Sequence, residues 1–576
     1  MRWQRHESAG GRADPALARR RVVLACFALA GLALAGRAVF LQVLNTDFLR
    51  RQGEARHLRV VSVPAHRGMI MDRNGEPLAI STPVDSVWAD PGALPADRRA
   101  LARLAQALGM PAERLVRRIA ARREREFVYL RRHVDPATAA RVMALGLPGV
   151  HLQREYRRYY PMGEVAAHVV GFTNIDDVGQ EGVELGWDRW LRGEPGAKRV
   201  LKDRLGRVVR DVALLRPARP GRDLRLALDR RLQYLAYREL KAAVLRHRAR
   251  GGSIVVLDAR TGEVLAMANQ PAYNPNRRDR GPRTARRNRA VTDVFEPGST
   301  MKPFTVAAAL ESGRFRPDTP VDTRPGLLRV ADATVRDIRN FGLLDVTEVV
   351  RRSSNVGAAK IALALPARRL WSVYARLGFG RATASGFPGE ADGVLLDHRR
   401  WHVVEQATAA FGYGLSVTAL QLARAYAALA ADGRLPQVSF PRRAGNAGSE
   451  RVLPARVARQ VRAMLEGVVG PGGTGRRAAV PGYRVAGKTG TVRKAGPGGY
   501  SDTRYVALFA GMAPASRPRL VAVVVIDEPR AGAYYGGEVA APVFARVMAG
   551  ALRLLDVPPD APRGPMHVAL GAEAAT

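Results

Sequence analysis

Cysteine is almost missing from this chain. Cys26 is the only one in 576 residues, which excludes an intrachain disulfide framework and any zinc or iron–sulfur site built from thiolates. Lysine is nearly as scarce. The 92 basic residues comprise 85 arginines and seven lysines, namely Lys198, Lys202, Lys241, Lys302, Lys360, Lys488 and Lys494. There is no HExxH, no CxxC, no GxSxG and no GxGxxG placed between a strand and a helix. Gly470–Arg477 (GPGGTGRR) has the glycine spacing of a phosphate loop but not the lysine and following Ser/Thr that hold phosphate and magnesium, so it reads as a turn. No fixed-period repeat recurs, which sets aside solenoids and propellers. Neither a metal nor a cofactor is expected.

What is present is apolar material and positive charge. A 47% hydrophobic fraction rules out a disordered basic tail protein, and the length implies two to four domains. The formal net charge of +40 first suggests nucleic acid or an anionic membrane surface. Arginine, alanine and glycine are enriched together, which reads as background composition; charge speaks to solubility and association, not to fold.

One segment is set apart by its hydropathy. Val22–Gly36 is unbroken by any polar side chain, Arg37 follows, and Ala38–Leu44 is apolar except for Gln42. Val22 to Leu44 is 23 positions, about 34 Å of helix and enough to span a bilayer core. A cleaved signal ending near Ala33-Leu34-Ala35 is the alternative, but the apolar character resumes after Arg37, as an uncleaved anchor requires. A lipobox at Cys26 has too short an apolar run before it. Arg2, Arg5, Arg12, Arg19, Arg20 and Arg21 precede the span and predict an inward N-terminus. Arg50, Arg51, Arg56 and Arg59 lie beyond it and oppose that orientation, although long domains translocate largely regardless of charge. An outward location makes nucleic acid an unexpected partner.

The expected organisation is a tail (1–21), an anchor (22–44), a mixed arginine-studded region (45–221), a second large domain (222–557) and a Pro- and Ala-rich tail (558–576). The mixed region alternates strand-like pieces (Leu58–Val63, Val84–Trp88, Phe127–Leu130) with helical ones (Arg98–Leu108, Pro111–Arg122), and Pro217–Gly221 reads as a linker. Asp223–Leu228 then reads as a strand and Arg230–Arg246 as a helix with one apolar face. Ser253–Leu257 and Glu263–Met267 flank DARTG, a hairpin signal, while Tyr505–Ala510 and Leu520–Ile526 are apolar strands followed by a helix, Ala541–Leu555. Strands at both ends with helices between imply an α/β sandwich whose sheet is assembled from distant segments.

Phe295–Phe304 (FEPGSTMKPF) is the segment that suggests chemistry. Ser299 stands at the expected start of a helix and Lys302 one turn later, so both side chains share a face. A serine hydroxyl needs a base within reach, and a lysine serves only if burial or a second cation lowers its pKa. Ser-x-x-Lys alone is usually a helix cap with a surface lysine. Ser353-Ser354-Asn355 follows 54 residues after Ser299 and opens an apparent helix, Val356–Leu365. Lys488-Thr489-Gly490-Thr491 follows 189 residues after Ser299, behind a strand-like approach, Tyr483–Ala486. In this order the three form the signature of penicillin-recognising serine acyltransferases, and two of the seven lysines fall within it.

On these motifs, and on GRAVFLQV (Gly36–Val43), RGMIMDRNGEPLA (Arg67–Ala79), YYPMGEVAAHVVGF (Tyr159–Phe172), GQEGVE (Gly179–Glu184), FGYGLSVTALQLA (Phe411–Ala423) and AGAYYGGEVAAPVF (Ala531–Phe544), the chain resembles a class B penicillin-binding protein of the division-specific FtsI family. The resemblance implies a transpeptidase domain of the penicillin-binding-protein/β-lactamase-like α/β class, with an antiparallel sheet and helices on both sides. It also implies an elongated α+β pedestal of the dimerisation type and one transmembrane helix in the inner membrane, the catalytic domain being periplasmic. Ser299 would attack the penultimate D-Ala carbonyl of a stem peptide and Lys302 would take its proton. Ser353 would relay a proton to the leaving amine, and Asn355 would orient Lys302 and the substrate amide. Lys488 and Thr489 would hold the substrate carboxylate, with Lys488 also lowering the Lys302 pKa. Gly490 would leave room for substrate, and the backbone N–H groups of Ser299 and Thr491 would form the oxyanion hole.

Ser354 stands where class A β-lactamases carry Asp, and no glycosyltransferase block is visible in Asn45–Gly221. Implied partners are D-Ala-D-Ala stem peptides, β-lactams, the inner membrane, and an FtsW-like division glycan polymerase with other division proteins. The rival readings are an elongation-type transpeptidase, a membrane-bound β-lactam sensor, a β-lactamase, and a mainly structural part of a division complex.

Overall fold

The computed structural model of the protein describes residues 15–45, 58–202, 208–278, 281–443, 448–496 and 498–561. The basic tail before residue 15, Arg50, Arg51 and Arg56, and the tail beyond residue 561 lie outside the described residues. The apolar run forms a helix, Pro15–Val39, that continues as a wider π-type turn through Phe40–Leu44. Within it Arg19–Val43 has a mean hydropathy of 2.1 and is unburied, so by length and composition it fits a single-pass membrane anchor.

The chain, the anchor helix included, divides into two units that alternate along the sequence. The first comprises Met1–Ala65, Val84–Glu155 and Glu194–Arg219, and the second His66–Pro83, Tyr156–Gly193 and Pro220–Thr576. In the first, Leu58–Val63 pairs antiparallel with Gly196–Lys202, which pairs with Val208–Arg216. A separate small core gathers Val87, Leu104, Leu108, Leu115, Leu130, Val142 and Val150. Asp97 and Asp135 start two of the helices around it, Arg98–Ala107 and Pro136–Ala144, by accepting hydrogen bonds from first-turn amides. The helix expected over Pro111–Arg122 is shorter, Ala112–Ala120.

The second unit holds the large sheet. Asp229 caps helix α1 (Arg230–Arg246), which leads into the hairpin of β1 (Gly251–Asp258) and β2 (Val264–Gln270). Helices α2 (Lys302–Glu311), α3 (Asn355–Leu363), α4 (Ala419–Ala430) and α5 (Ala455–Val469) come next. Strands β3 (Ala486–Gly496), β4 (Gly499–Ala513) and β5 (Leu520–Asp527) and helix α6 (Ala541–Leu554) complete it. The sheet order is β2-β1-β5-β4-β3, with every neighbouring pair antiparallel.

Successive residues of the central strands enter opposite cores. Val255, Leu257, Val521 and Val523 pack with Phe304 of α2, Tyr426 of α4 and Leu465 of α5. Ile254, Val256, Ala522 and Val524 pack with Leu240 of α1 and Phe544 and Met548 of α6. Burial on both faces explains why β1 and β5 read as continuous apolar runs with no polar alternation.

Two local expectations change. The strand expected over Asp223–Leu228 is only Leu224–Arg225, paired in parallel with Ile70–Met71. Its continuation is diverted, because Leu226 bridges to Pro441 and Asp229 is committed to capping α1. The strand expected from Tyr483 begins only at Ala486 as β3: a turn closed by a Val480–Tyr483 bridge precedes it, and Arg484 and Val485 connect the two outside the sheet. Phe544 is fully buried against the ring of Phe509 at 4.7 Å. Phe544→Ala is expected to destabilise the second unit by about 3–5 kcal/mol, read as a lowered midpoint of denaturant unfolding.

Candidate active site

Ser299 lies in a 3-10 turn, Gly298–Met301, that feeds directly into α2 at Lys302. The helix proper therefore starts three residues later than the sequence pattern places it. Pro303 supplies the reason: it has no N–H to offer the Ser299 carbonyl, which is satisfied by the Lys302 N–H in the tighter i→i+3 form. That geometry eclipses residues three apart, and Lys302 Nζ stands 3.0 Å from Ser299 Oγ. Gly298 has φ +53°, and a Cβ there would meet Val492 Cγ2 at 2.4 Å. The neighbouring loop braces the turn: Gly298 N donates to Gly412 O at 3.1 Å, and Tyr426 OH donates to Thr300 O at 2.9 Å.

The second motif is shaped by an unusual backbone. Ser353 closes helix Val346–Arg352 in the left-handed region with φ +64°. Such strain in a non-glycine residue is held only where the surroundings impose it. Here it turns the Ser353 carbonyl onto Lys302 Nζ and sets Ser353 Oγ between two amines, 3.1 Å from Lys302 Nζ and 2.9 Å from Lys488 Nζ. Ser354 is the cap of α3, accepting from Gly357 N at 2.8 Å. Asn355 Oδ1 accepts from Lys302 Nζ at 2.7 Å, while its Nδ2 donates to Arg336 O at 3.0 Å. Asp337 holds this corner by accepting from Ser354 Oγ and from the N–H groups of Asn355 and Val356.

The third motif lies on β3, the free edge of the sheet. Lys302 and Lys488 are both fully buried. Burial pushes Lys302 well below the usual lysine value, the charge of Lys488 pushes it further, and Asp337 pulls it partly back. Burial lowers Lys488 to about 7. A neutral Lys302 amine has two N–H groups and one lone pair. The Ser353 carbonyl and Asn355 Oδ1 can only accept, so they take both hydrogens, and the lone pair is left for the hydroxyls of Ser299 and Ser353.

Thr491 Oγ1 accepts from Gly536 N at 2.9 Å. A Cβ on Gly490 would stand 3.1 Å from Leu508 Cβ and Thr300 Cγ2, so the space this glycine keeps lies against those two side chains. Thr489 Oγ1 is 2.8 Å from Thr474 Oγ1. Thr474 belongs to the GPGGTGRR stretch, which does turn, as its glycines predict. The sequence reading stopped there and missed that this turn reaches the third motif. Asp337, Gly412, Tyr426 and Gly536 were missed as well; the glycines act through backbone and the other two through side-chain hydrogen bonds to distant segments, and no spacing rule points to them.

Fold and site together define a serine acyltransferase of the penicillin-recognising class. Residues 252–549 match the family model of the penicillin binding protein transpeptidase domain, and residues 62–226 match that of the penicillin-binding protein dimerisation domain. The chain is 47% identical over 542 residues to Peptidoglycan D,D-transpeptidase FtsI of Escherichia coli (strain K12), covering 93% of this chain and 92% of the relative. It is 44% identical over 559 residues to the probable peptidoglycan D,D-transpeptidase PenA of Neisseria gonorrhoeae, covering 96% and 94%. Among solved structures, the transpeptidase domain of Burkholderia pseudomallei penicillin-binding protein 3 aligns with a TM-score of 0.55 and 45% identity, covering 58% of this chain and 98% of that one. The chain belongs to the class B penicillin-binding proteins, in the family of FtsI.

Thr489 can donate its single proton to a ligand carboxylate only if Thr474 donates to Thr489. Thr474→Val keeps the shape and removes that donor. Acylation by a fluorescent penicillin is expected to slow about two- to tenfold, matching a lost hydrogen bond of about 0.5–1.5 kcal/mol, and Thr474→Ser is expected to retain the rate.

Proposed function

We propose that this chain is a peptidoglycan D,D-transpeptidase of the division septum that works through an acyl-enzyme on Ser299. The observation that carries this reading is the fully buried Lys302 Nζ, 3.0 Å from Ser299 Oγ, with two further acceptors, the Ser353 carbonyl and Asn355 Oδ1, fixing its orientation. Lys302 takes the Ser299 proton as Oγ attacks the penultimate D-Ala carbonyl. The Ser299 and Thr491 N–H groups stabilise the developing oxyanion, the kind of contribution worth about 2.7–4 kcal/mol per donor. Ser353 lies within reach of both lysines; it gives its proton to the departing amine and takes the one Lys302 removed from Ser299, so D-Ala leaves neutral at nitrogen and Lys302 is neutral again. A stem-peptide amine then attacks the ester, Lys302 accepts its proton and returns it to Ser299 Oγ as the ester C–O bond breaks, and the cross-link forms with Ser299 regenerated.

Lys488 and Thr489 sit where a terminal carboxylate would be held, and Asn355 would orient Lys302 and the substrate amide. The open edge of β3 gives an extended peptide backbone a strand to pair with. β-Lactams acylate the same serine by the same route. The apolar N-terminal helix supports an inner-membrane location and the arginines before it support an inward N-terminus; a division-type glycan polymerase (FtsW-like) would be a partner there.

The similarity to FtsI favours division over elongation. A β-lactam sensor would need an effector domain inside the cell, and a β-lactamase would release its acyl group quickly. Fluorescent penicillin is expected to label Ser299 for minutes or longer, and full labelling of a Ser299→Ala variant would sink the assignment. Depletion is expected to give filaments; rounded cells would point to elongation instead.

Lys302 must be neutral to act, so labelling should rise with pH through its titration. Lys488→Met removes a neighbouring like charge, raises the Lys302 pKa, and is expected to move the acid limb of the rate profile to higher pH. An unmoved limb would show that Lys488 does not tune Lys302.

A further inference from the structure

Away from Ser299, the turns at one end of the sheet enclose a second cavity of about 440 Å³. Its walls carry Arg260 of the β1–β2 turn, Asp432 and Arg434 just beyond α4, Arg462 of α5, and Ser516 and Arg517 of the β4–β5 turn. Four arginines and one carboxylate, that of Asp432, thus line the same cavity. That carboxylate is already taken, since Asp432 Oδ1 accepts from Arg462 Nη1 at 2.9 Å and Oδ2 lies 3.7 Å from Arg459. Among the described residues, Arg260 and Arg517 have no ion pair, and Arg434 has only a long contact, 3.4 Å, to the Ser449 carbonyl.

Nearby acids are committed elsewhere. Asp258 accepts from the N–H groups of Arg260 and Thr261 and lies 3.5 Å from Arg519, while Asp560 accepts from Ser516 and Arg484 N. Partial loss of hydration, and after it the charges of Arg519 and Arg517, hold the Arg260 guanidinium below its ordinary value, with Asp258 acting in the opposite sense.

Arg260, Arg434 and Arg517 are exposed, but the elements that carry them are anchored. Arg462 is buried with 8% exposure, and Asp432 sits in the left-handed region with φ +51° at the end of α4. The β1–β2 turn is closed by Gly262 N donating to Asp258 O at 3.0 Å and tied to the β4–β5 turn by Ala259 N donating to Arg519 O at 2.8 Å. Like charges held together by rigid turns cost free energy unless an anion joins them. Planar guanidinium groups meet paired oxyanions bidentately, which lysines could not do.

The geometry points to a second, non-catalytic ligand site in this cavity, one that binds a small polyanion bearing two or more phosphate or carboxylate groups through Arg260, Arg434 and Arg517. It is independent of the chemistry at Ser299. Carboxylate-bearing stem peptides and phosphate-bearing headgroups or free phosphates share this chemistry, and two probes separate them.

Pyrophosphate and citrate are titrated against the full chain in detergent by calorimetry at physiological salt. Saturable binding of at least one is expected, with at least a tenfold weaker Kd in the Arg260→Gln/Arg517→Gln double variant. Arg368→Gln, which removes an exposed charge elsewhere, is expected to leave Kd unchanged, and penicillin labelling at Ser299 should persist in all variants. Preference for pyrophosphate assigns a phosphate ligand and preference for citrate a carboxylate one. Absence of saturable binding of either probe, or equal weakening by Arg368→Gln, would overturn the proposal.

Discussion

Everything at the nucleophile depends on one buried amine whose positive charge is disfavoured where it stands. Lys302 is enclosed, its neighbours on two sides are oxygens that only accept, and a second lysine discourages its charge. Burial alone would make the amine neutral without aiming it; acceptors alone would aim it and favour the charged form. The two together leave a lone pair facing a hydroxyl. The left-handed turn at Ser353 serves this constraint, because a relaxed conformation there would withdraw the carbonyl that takes one of the hydrogens.

The sheet supplies the rigidity that such an arrangement requires. Its central strands are buried on both faces, so β3 is fixed in register by β4 along most of its length. Lys488, Thr489 and Thr491 are then held in place by a lattice of backbone hydrogen bonds and do not hang on a loop. From the other side, α2 and the turn before it are pinned by Gly412 and Tyr426. Two walls built from segments nearly 190 residues apart meet at hydrogen-bond distance through Ser353 Oγ, 3.1 Å from Lys302 Nζ and 2.9 Å from Lys488 Nζ.

Much of this was legible in the sequence because chemistry limits the residue types. A base that must lose its proton has to be lysine and not arginine, and with seven lysines in the chain Lys302 and Lys488 stood out. Strands buried on both faces announced themselves as apolar runs, and α1 and α6 matched their expected boundaries to within a residue. What could not be read was anything set by backbone angle or by a distant partner. Nothing in Ser353-Ser354-Asn355 announces that its first residue is left-handed. Asp337 reaches α3 from a hairpin, and Thr474 looked like one more turn residue. The two-residue strand at Leu224–Arg225 was overestimated because the apolar pattern continues after the chain has turned away.

The free edge of β3 has a consequence for the protein as a solute. A strand that offers unpaired backbone groups to a peptide offers them equally to another sheet, and edge-to-edge pairing is how β proteins aggregate. The far end of this strand carries Arg493 and Lys494, each engaged with a local acid, Asp502 for the first and Asp527 with Glu528 for the second. Gly536 covers part of the approach through Thr491. What is left uncovered beside the nucleophile is the part of the edge that the end of a peptide can use.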